Sequence, residues 1–495
     1  MKKIEEAPDR IAQGGTNRRI AVLPLASISP NREDDHIADG MTEELISTIS
    51  KIKELGVIAR TSIIRYKGLV KPVGEIGREL NVGTVLEGTV QILGKKIRIT
   101  AQLIDAATEE HLWSEVYDRE LEDMFTVQSD IAQRIARSLR IKVLKRDRAR
   151  LGKRATENPA AYELYLKGRH FLNTRSEEEL WKAVEAFAKT LEADPNYALA
   201  YAGLSDSHAI LALLEYVAPN QAFPRAKAAA KKAVELDNGL AEAHTSFGVV
   251  RFQYDWDIPA AEREFRTAIE CNPNYAAAHQ FYADCLKATG RFDEALAEMR
   301  QASRLDPLSM SINTGLGHVL YLSRDYDGAI EQYRQTVNLD PSYLQARLWY
   351  GRPFLQKGMH KEAIAELSEA VKLSGGSTVS LATLGQAYAS AGDKRGALEI
   401  LDRLKKRAAK QYVPSYWIAL VFVALGDKKQ AFDWLEKAFE ERSSWLAWIQ
   451  VEPRFDPLRA DPRFSQLLKR MGFSNIHQPS KRKELGLSGW LKGPC

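Results

Sequence analysis

One spacing constrains this chain more than any other: a period of 34 residues through its second half. Ala261, Ala295, Ala329, Ala363, Ala397 and Ala431 stand 34 apart. A large apolar residue follows four places later in each copy: Phe265, Met299, Tyr333, Leu367, Leu401 and Leu435. Three places further come Ala268, Ala302, Ala370 and Ala438, with Thr336 and Leu404 in the same slot. Positions i, i+4 and i+7 lie on one helical face, so each copy holds an amphipathic helix. Gly248, Ala283, Gly317, Gly351, Gly385 and Ala419 keep the beat on a partner helix, where small residues let two helices approach. Gly290, Gly358, Gly392 and Gly426 fall between the helices, where a left-handed C-cap is needed. Asp194-Pro195, Asn272-Pro273, Asp306-Pro307 and Asp340-Pro341 end one hairpin and pre-set the next turn. The period predicts a stack of helical hairpins.

These residues resemble the tetratricopeptide repeat (TPR). Regular copies run 276–309, 310–343, 344–377, 378–411 and 412–445. Looser ones cover 159–197, 198–239 and 240–275, lengthened by inserts at Glu215–Phe223 and Tyr254–Asp257, which makes about eight hairpins. Pro353 lies inside the first helix of its copy and is expected to kink it. Trp445, Trp448, Phe455, Leu458, Phe464, Leu467 and Leu468 supply the cover that the end of a solenoid requires.

The segment before the repeats has a different rhythm. Arg19–Leu25 and Gly56–Arg60 are short apolar runs, expected as strands. Asp39-Gly40 is expected to open a helix to about Ile52, and Val73–Leu80 to form a second. Val85–Ile92 and Ile97–Asp105 alternate with period two around a Gly94-Lys95 turn, and Glu110–Tyr117 adds a strand. The fold class expected is an α/β N-terminal domain followed by an all-α TPR solenoid, a right-handed superhelix by resemblance. The expected divisions are a disordered tail over 1–17, the α/β domain over 18–121 and an amphipathic basic linker helix over 122–158. The TPR array follows over 159–445, then a C-terminal cap over 446–473 and a disordered tail over 474–495.

The run IAVLPL…ADGMTEELISTIS…LGVIARTS…IGRELNVGTVLEGTVQILGKKIRITAQLIDAATEEHLWSEVYDREL resembles the TolB N-terminal-like (FlgO-like) α/β domain. With the repeats, the likeness spans about 18–473. It implies kinship with the C-terminal halves of adenylate cyclase-type and winged-helix regulators. Such proteins often carry an N-terminal effector, and only 17 residues precede Arg18 here.

Motifs for chemistry are sparse. There is no GxxxxGK[ST], and no GxGxxG following a strand; Gly315-Leu316-Gly317 sits inside a repeat helix. His244 and His279 occupy equivalent slots one hairpin apart, too far for shared zinc ligation. Cys271 and Cys285 lack CxxC spacing, and three cysteines cannot build a disulfide framework. Asp34, Asp35, His36 and Asp39 could form a polar site but read better as a loop and helix start. Arg140–Arg154 is strongly basic, as a solvated helix or a surface for an anionic partner, though no aromatics interleave. Lys+Arg 70 against Asp+Glu 65 leaves +5, no general field for nucleic acid. Neither a secretory leader nor an apolar run long enough to span a bilayer is present, so a cytoplasmic location is expected.

The function expected is a non-catalytic, cofactor-free and metal-free interaction scaffold or regulator. The alternative is a signalling subunit of the adenylate cyclase or transcription-regulator class, acting with an effector on another chain. By resemblance, the first helix of each hairpin lines a concave groove. Its candidate partner-binding residues are Gln280, Asp284, Lys287, Thr314, His318, Tyr321, Leu348, Arg352 and Leu355. They lack the Lys/Asn pairs of a carboxylate clamp and suit a protein or peptide segment with an apolar anchor and one acid. On that reading Tyr321→Ala with Arg352→Ala weakens capture and spares the fold.

Overall fold

The computed structural model describes residues 18–29, 35–94, 96–120, 124–141 and 155–473. These divide into two compact units. One holds the described residues up to His170 together with 272–274 and 305–307; the other holds the rest.

The first unit is built on one sheet. Its strands are β1 (Arg19–Val22), β2 (Ala26–Ser27), β3 (Gly56–Val57), β4 (Thr84–Leu93), β5 (Lys96–Asp105) and β6 (His111–Glu120). The order is β3-β1-β4-β5-β6, with β2 also paired to β4. β1 runs parallel to β3 and β4, while β4, β5 and β6 form an antiparallel meander. The period-two pattern delivers this register: Leu86, Val90, Ile92, Ile97, Ile99, Ala101 and Leu103 are all buried. Helix α1 (Asp35–Ser50) buries Leu45 and Ile49, and the helix Met124–Ser138 buries Ile131 and Ile135.

Two local expectations are corrected. The first helix begins at Asp35, so Asp39-Gly40 lies inside it. Gly40 serves close packing: a Cβ there would meet the Leu166 side chain at 2.7 Å. The second strand is only Gly56–Val57, because Arg60–Ile63 turns into a short helix, α2. The basic run beyond Ile141, Asp34, the His36 side chain and the tail from Ser474 lie outside the described residues.

Gly88 lies on β4 where the β5 backbone comes close. A Cβ there would come within 2.0 Å of the Thr100 carbonyl oxygen on β5. That atom is backbone and cannot swing aside, so Gly88→Ala must push β4 from β5. We expect a loss of about 2–4 kcal/mol, beyond ordinary overpacking, measurable by chemical denaturation. An unchanged midpoint would show that the strands separate freely here.

The second unit is a run of helical hairpins. The regular pairs are 276–288 with 292–305, 310–322 with 326–339, 344–356 with 360–373, 378–390 with 394–408, and 415–425 with 428–440. The periodic alanines and large residues read from the sequence are all buried. The small partner-helix residues explain the fit. A Cβ on Gly248 would meet the Phe265 ring at 2.6 Å, one on Gly317 the Tyr333 ring at 2.5 Å, and one on Gly351 the Leu367 side chain at 2.6 Å. Large residue into glycine notch thus recurs along the stack, a knob whose hole is a missing side chain.

Gly290, Gly358, Gly392 and Gly426 adopt positive φ between the helices, as the C-cap logic requires. Arg324 occupies the same slot in its copy and takes φ +69 without glycine's freedom. Pro353 does not break its helix, which runs unbroken over Leu344–Gln356. Proline forgoes only the bond its own nitrogen would give the Trp349 carbonyl, and the helix closes beyond it with Lys357 N donating to the Pro353 and Phe354 carbonyls.

The C-terminal segment departs from a simple end cover. After 428–440 the chain forms two short 3-10 turns, Ser444–Trp448 and Pro453–Leu458, then the helix Pro462–Arg470. The two turns run back along the first helices of the hairpins. Leu446, Ala447, Trp448, Ile449, Val451, Phe455 and Leu458 are buried.

Candidate functional site: the inner face of the repeats

The nine groove residues expected from sequence do gather on first helices, and the chain's own C-terminal segment meets most of them. Lys287 is 2% exposed and lies 5.3 Å from the Trp448 ring centroid. Its ammonium pairs with Asp284 at 2.5 Å, while Trp448 Nε1 donates to the Asp284 carbonyl at 3.1 Å. Burial lowers the Lys287 pKa against the pull of Asp284. His318 packs 4.2 Å from the Trp349 ring and 6.0 Å from that of Trp448. Tyr321 donates its hydroxyl to Glu452 at 2.7 Å. Arg352 has Trp349, Trp417 and Trp445 around it, with ring centroids at 5.0, 5.6 and 6.0 Å. Leu348 and Leu355 are buried, and Thr314 spends its hydroxyl on the Met310 carbonyl. Gln280 is only partly buried and bonds Ser311.

The inner face therefore differs from the open groove expected. Its physical cause is apolar: first-helix residues such as Phe252, Leu348 and Trp417 are too large and apolar to stay wet. The 443–458 segment carries the indoles and rings that cover them.

Sequence reasoning missed four polar residues that complete this interior. Glu452 and Arg454 form a buried ion pair at 2.8 Å, and Arg454 also reaches Gln386 at 3.4 Å. Burial alone would raise the Glu452 carboxyl; the Arg454 charge and its hydrogen bonds outweigh this and hold it at about 2. The fourth is Glu215, in the first insert, held at φ +66. Its carboxylate accepts from the indole N–H groups of Trp417 and Trp445, the latter at 3.2 Å. The available signal was charge within an apolar run: Glu452 and Arg454 interrupt Trp445–Phe455.

Burial pushes the Glu215 carboxyl up to about 7, against the two indole donors. A carboxyl whose folded pKa lies above its unfolded value stabilises the fold fully below the unfolded pKa, and that stability is lost as pH rises through the folded pKa. Compared with Glu215→Gln, the wild type is expected to lose up to roughly 3 kcal/mol between about pH 4.5 and pH 7. Parallel urea titrations at several pH values test this; matching slopes for the two proteins would refute it.

Among the described residues no group of three or more His, Cys, Asp or Glu is placed to hold an ion. His244 and His279 each pair with a carboxylate, Glu264 and Glu298, at 2.6 Å. Cys285 is buried, and burial raises its thiol pKa far from reactive range. Among the described residues no helix is long and apolar enough to cross a membrane.

The geometry defines a class: a sheet-bearing N-terminal region followed by a solenoid of tetratricopeptide repeats. Tetratricopeptide-repeat family models match residues 314–378 and, separately, 257–310 and 354–421. The chain is 37% identical over 230 residues to "Putative adenylate cyclase 3" of Rhizobium meliloti (strain 1021), covering 46% of this chain and 38% of that protein. It is 26% identical over 144 residues to "Transcriptional regulator HilA" of Salmonella typhimurium, covering 29% of this chain and 26% of that protein. The chain thus spans well under half the length of these curated relatives. Among solved structures it is similar to a human IFIT1 dimer with m7Gppp-AAAA. There the identity is 14% and the TM-score 0.44, over 64% of this chain and 77% of that one.

Proposed function

We propose that this chain is a non-catalytic interaction protein whose TPR array holds a protein segment. One observation carries the reading: the inner face of the repeats already seats a segment of short 3-10 turns, 443–458, through aromatic anchors and an acid on Tyr321. That is the mode of recognition expected of an outside partner with an apolar anchor and one acid.

The same observation limits where a partner docks. Expelling the segment exposes Leu446, Trp448, Ile449, Val451, Phe455 and Leu458. At about 1.5–3 kcal/mol for each buried side chain, the cost is on the order of 10 kcal/mol. A partner that reads Lys287, His318, Tyr321 or Arg352 must offset that before it gains anything. The favoured site is therefore the exposed surface of the array, with Asp284, Lys287, His318, Tyr321 and Arg352 acting as receptor for the chain's own 443–458 segment. Tyr321→Ala with Arg352→Ala is accordingly expected to lower stability rather than spare the fold.

The likeness to a protein named as an adenylate cyclase and to a transcriptional regulator supports a second reading, a signalling subunit working with an effector on another chain. The N-terminal unit, by its resemblance to TolB N-terminal-like domains, would then sense or dock.

Cross-linking mass spectrometry on the full-length protein, captured with its partners from its native cell, tests the first reading. Reproducible cross-links from a partner to exposed positions of 171–440 support it. Cross-links confined to 18–170, or turnover of ATP or GTP by the purified protein, would sink it.

A further inference from the structure

The interior beneath the C-terminal segment holds a charge that the chain itself leaves unanswered. Three cations lie there: Lys287, Arg352 and Arg454. Lys287 is paired with Asp284, and Arg454 with Glu452. Arg352 is 1% exposed, and its Nε, Nη1 and Nη2 all lack a hydrogen-bond partner. Glu215, the other carboxyl nearby, accepts from the neutral N–H edges of Trp417 and Trp445, and burial pushes its pKa up to about 7, so below neutral pH it is mostly protonated and does not balance Arg352.

The three indoles around Arg352 attract its charge, yet none offers a lone pair to an N–H, and an indole face receives one only weakly. The five N–H donors of Arg352 are left without an oxygen or nitrogen acceptor. Two further orphan atoms belong to the same packed interior. The Tyr333 hydroxyl is buried without a partner, and Arg352 is the strongest charge acting on it. His318 Nδ1 is buried without a partner, its ring against the same Trp349 that Arg352 stacks on. Buried polar atoms in native proteins are satisfied by protein, water or an ion. Water would satisfy the hydrogen bonds and leave the surplus positive charge in a low-dielectric interior, which is the costlier defect.

We propose that this interior binds a small monovalent anion of chloride size on Arg352, with the Tyr333 hydroxyl as a second donor. With Glu215 protonated, Lys287, Arg352 and Arg454 face only Asp284 and Glu452, and the one surplus positive charge calls for one negative charge. Atoms with no solvent exposure call for an occupant small enough to be enclosed. A spherical ion accepts donors from several directions, which suits a guanidinium edge and a phenol on different helices. The proposal is independent of any protein partner.

The probe is bromide. Crystals of the full-length protein equilibrated in sodium bromide, measured at the bromine absorption edge, should show an anomalous peak within hydrogen-bonding reach of Arg352. In solution the wild type should melt several degrees higher in sodium bromide than in sodium gluconate of equal ionic strength, with saturation. Arg352→Met should abolish that difference. Tyr333→Phe, which keeps the ring and its packing, should weaken the apparent bromide affinity roughly tenfold, and it covers the case in which Arg352→Met does not fold. A peak-free interior occupied by water would overturn the proposal. So would a bromide shift that is absent from the wild type, or one that persists undiminished in Tyr333→Phe.

Discussion

Arg454→Met is expected to lower the stability of the helical unit by roughly 3–5 kcal/mol. The side chain is 1% exposed and stands between Glu452 and Gln386. Removing it leaves the Glu452 carboxylate buried with Tyr321 as its remaining side-chain donor, in a place too dry for an unpaired charge. The second partner decides the sign of the repair. Glu452→Gln in the same chain removes the stranded charge, so the double variant should be more stable than Arg454→Met alone. Urea unfolding followed by far-ultraviolet circular dichroism reads all three proteins. A loss under about 1 kcal/mol for the single change would mean that water reaches the pair and that the interior is not closed.

Trp448→Ala should be comparably costly, about 3–5 kcal/mol, and its reach along the chain carries more information than its size. The Trp448 ring packs against Phe252, His318, Trp445 and the Lys287 ammonium, and its N–H reaches Asp284. In a solenoid whose repeats touch only their neighbours, a defect near the C-terminus stays near the C-terminus. The geometry here predicts otherwise. Hydrogen exchange should quicken in 276–288 and 310–322, far from residue 448 in sequence. Faster exchange confined to 412–445 would show that the segment is an end cover and nothing more.

Both results follow from contacts that no period encodes. The hairpins were legible because each is made locally: an alanine, a large residue and a glycine notch recur at fixed spacing, and the physics of one copy repeats in the next. The meander of β4, β5 and β6 was legible for the same reason, as alternation along two strands joined by a short turn. Where the first helix begins was less legible, because Gly40 is chosen by the approach of Leu166 from much later in the chain.

The candidate site divides along the same line. Sequence alone placed Lys287, His318, Tyr321 and Arg352 on equivalent faces of successive first helices, since helical period and the 34-residue repeat suffice for that. It gave no sign that these faces are covered. Charged residues are ordinarily read as exposed, and only a specific enclosure reverses that reading for Arg352 and Arg454. That enclosure rests on pairings such as Trp445 with Glu215, 230 residues apart, and Tyr321 with Glu452, 131 apart. A repeat determines its neighbours because its apolar face is unfinished without them. What fills the inside of the stack is decided only when the whole solenoid has curved, because only then do distant aromatic and charged side chains share one dry volume.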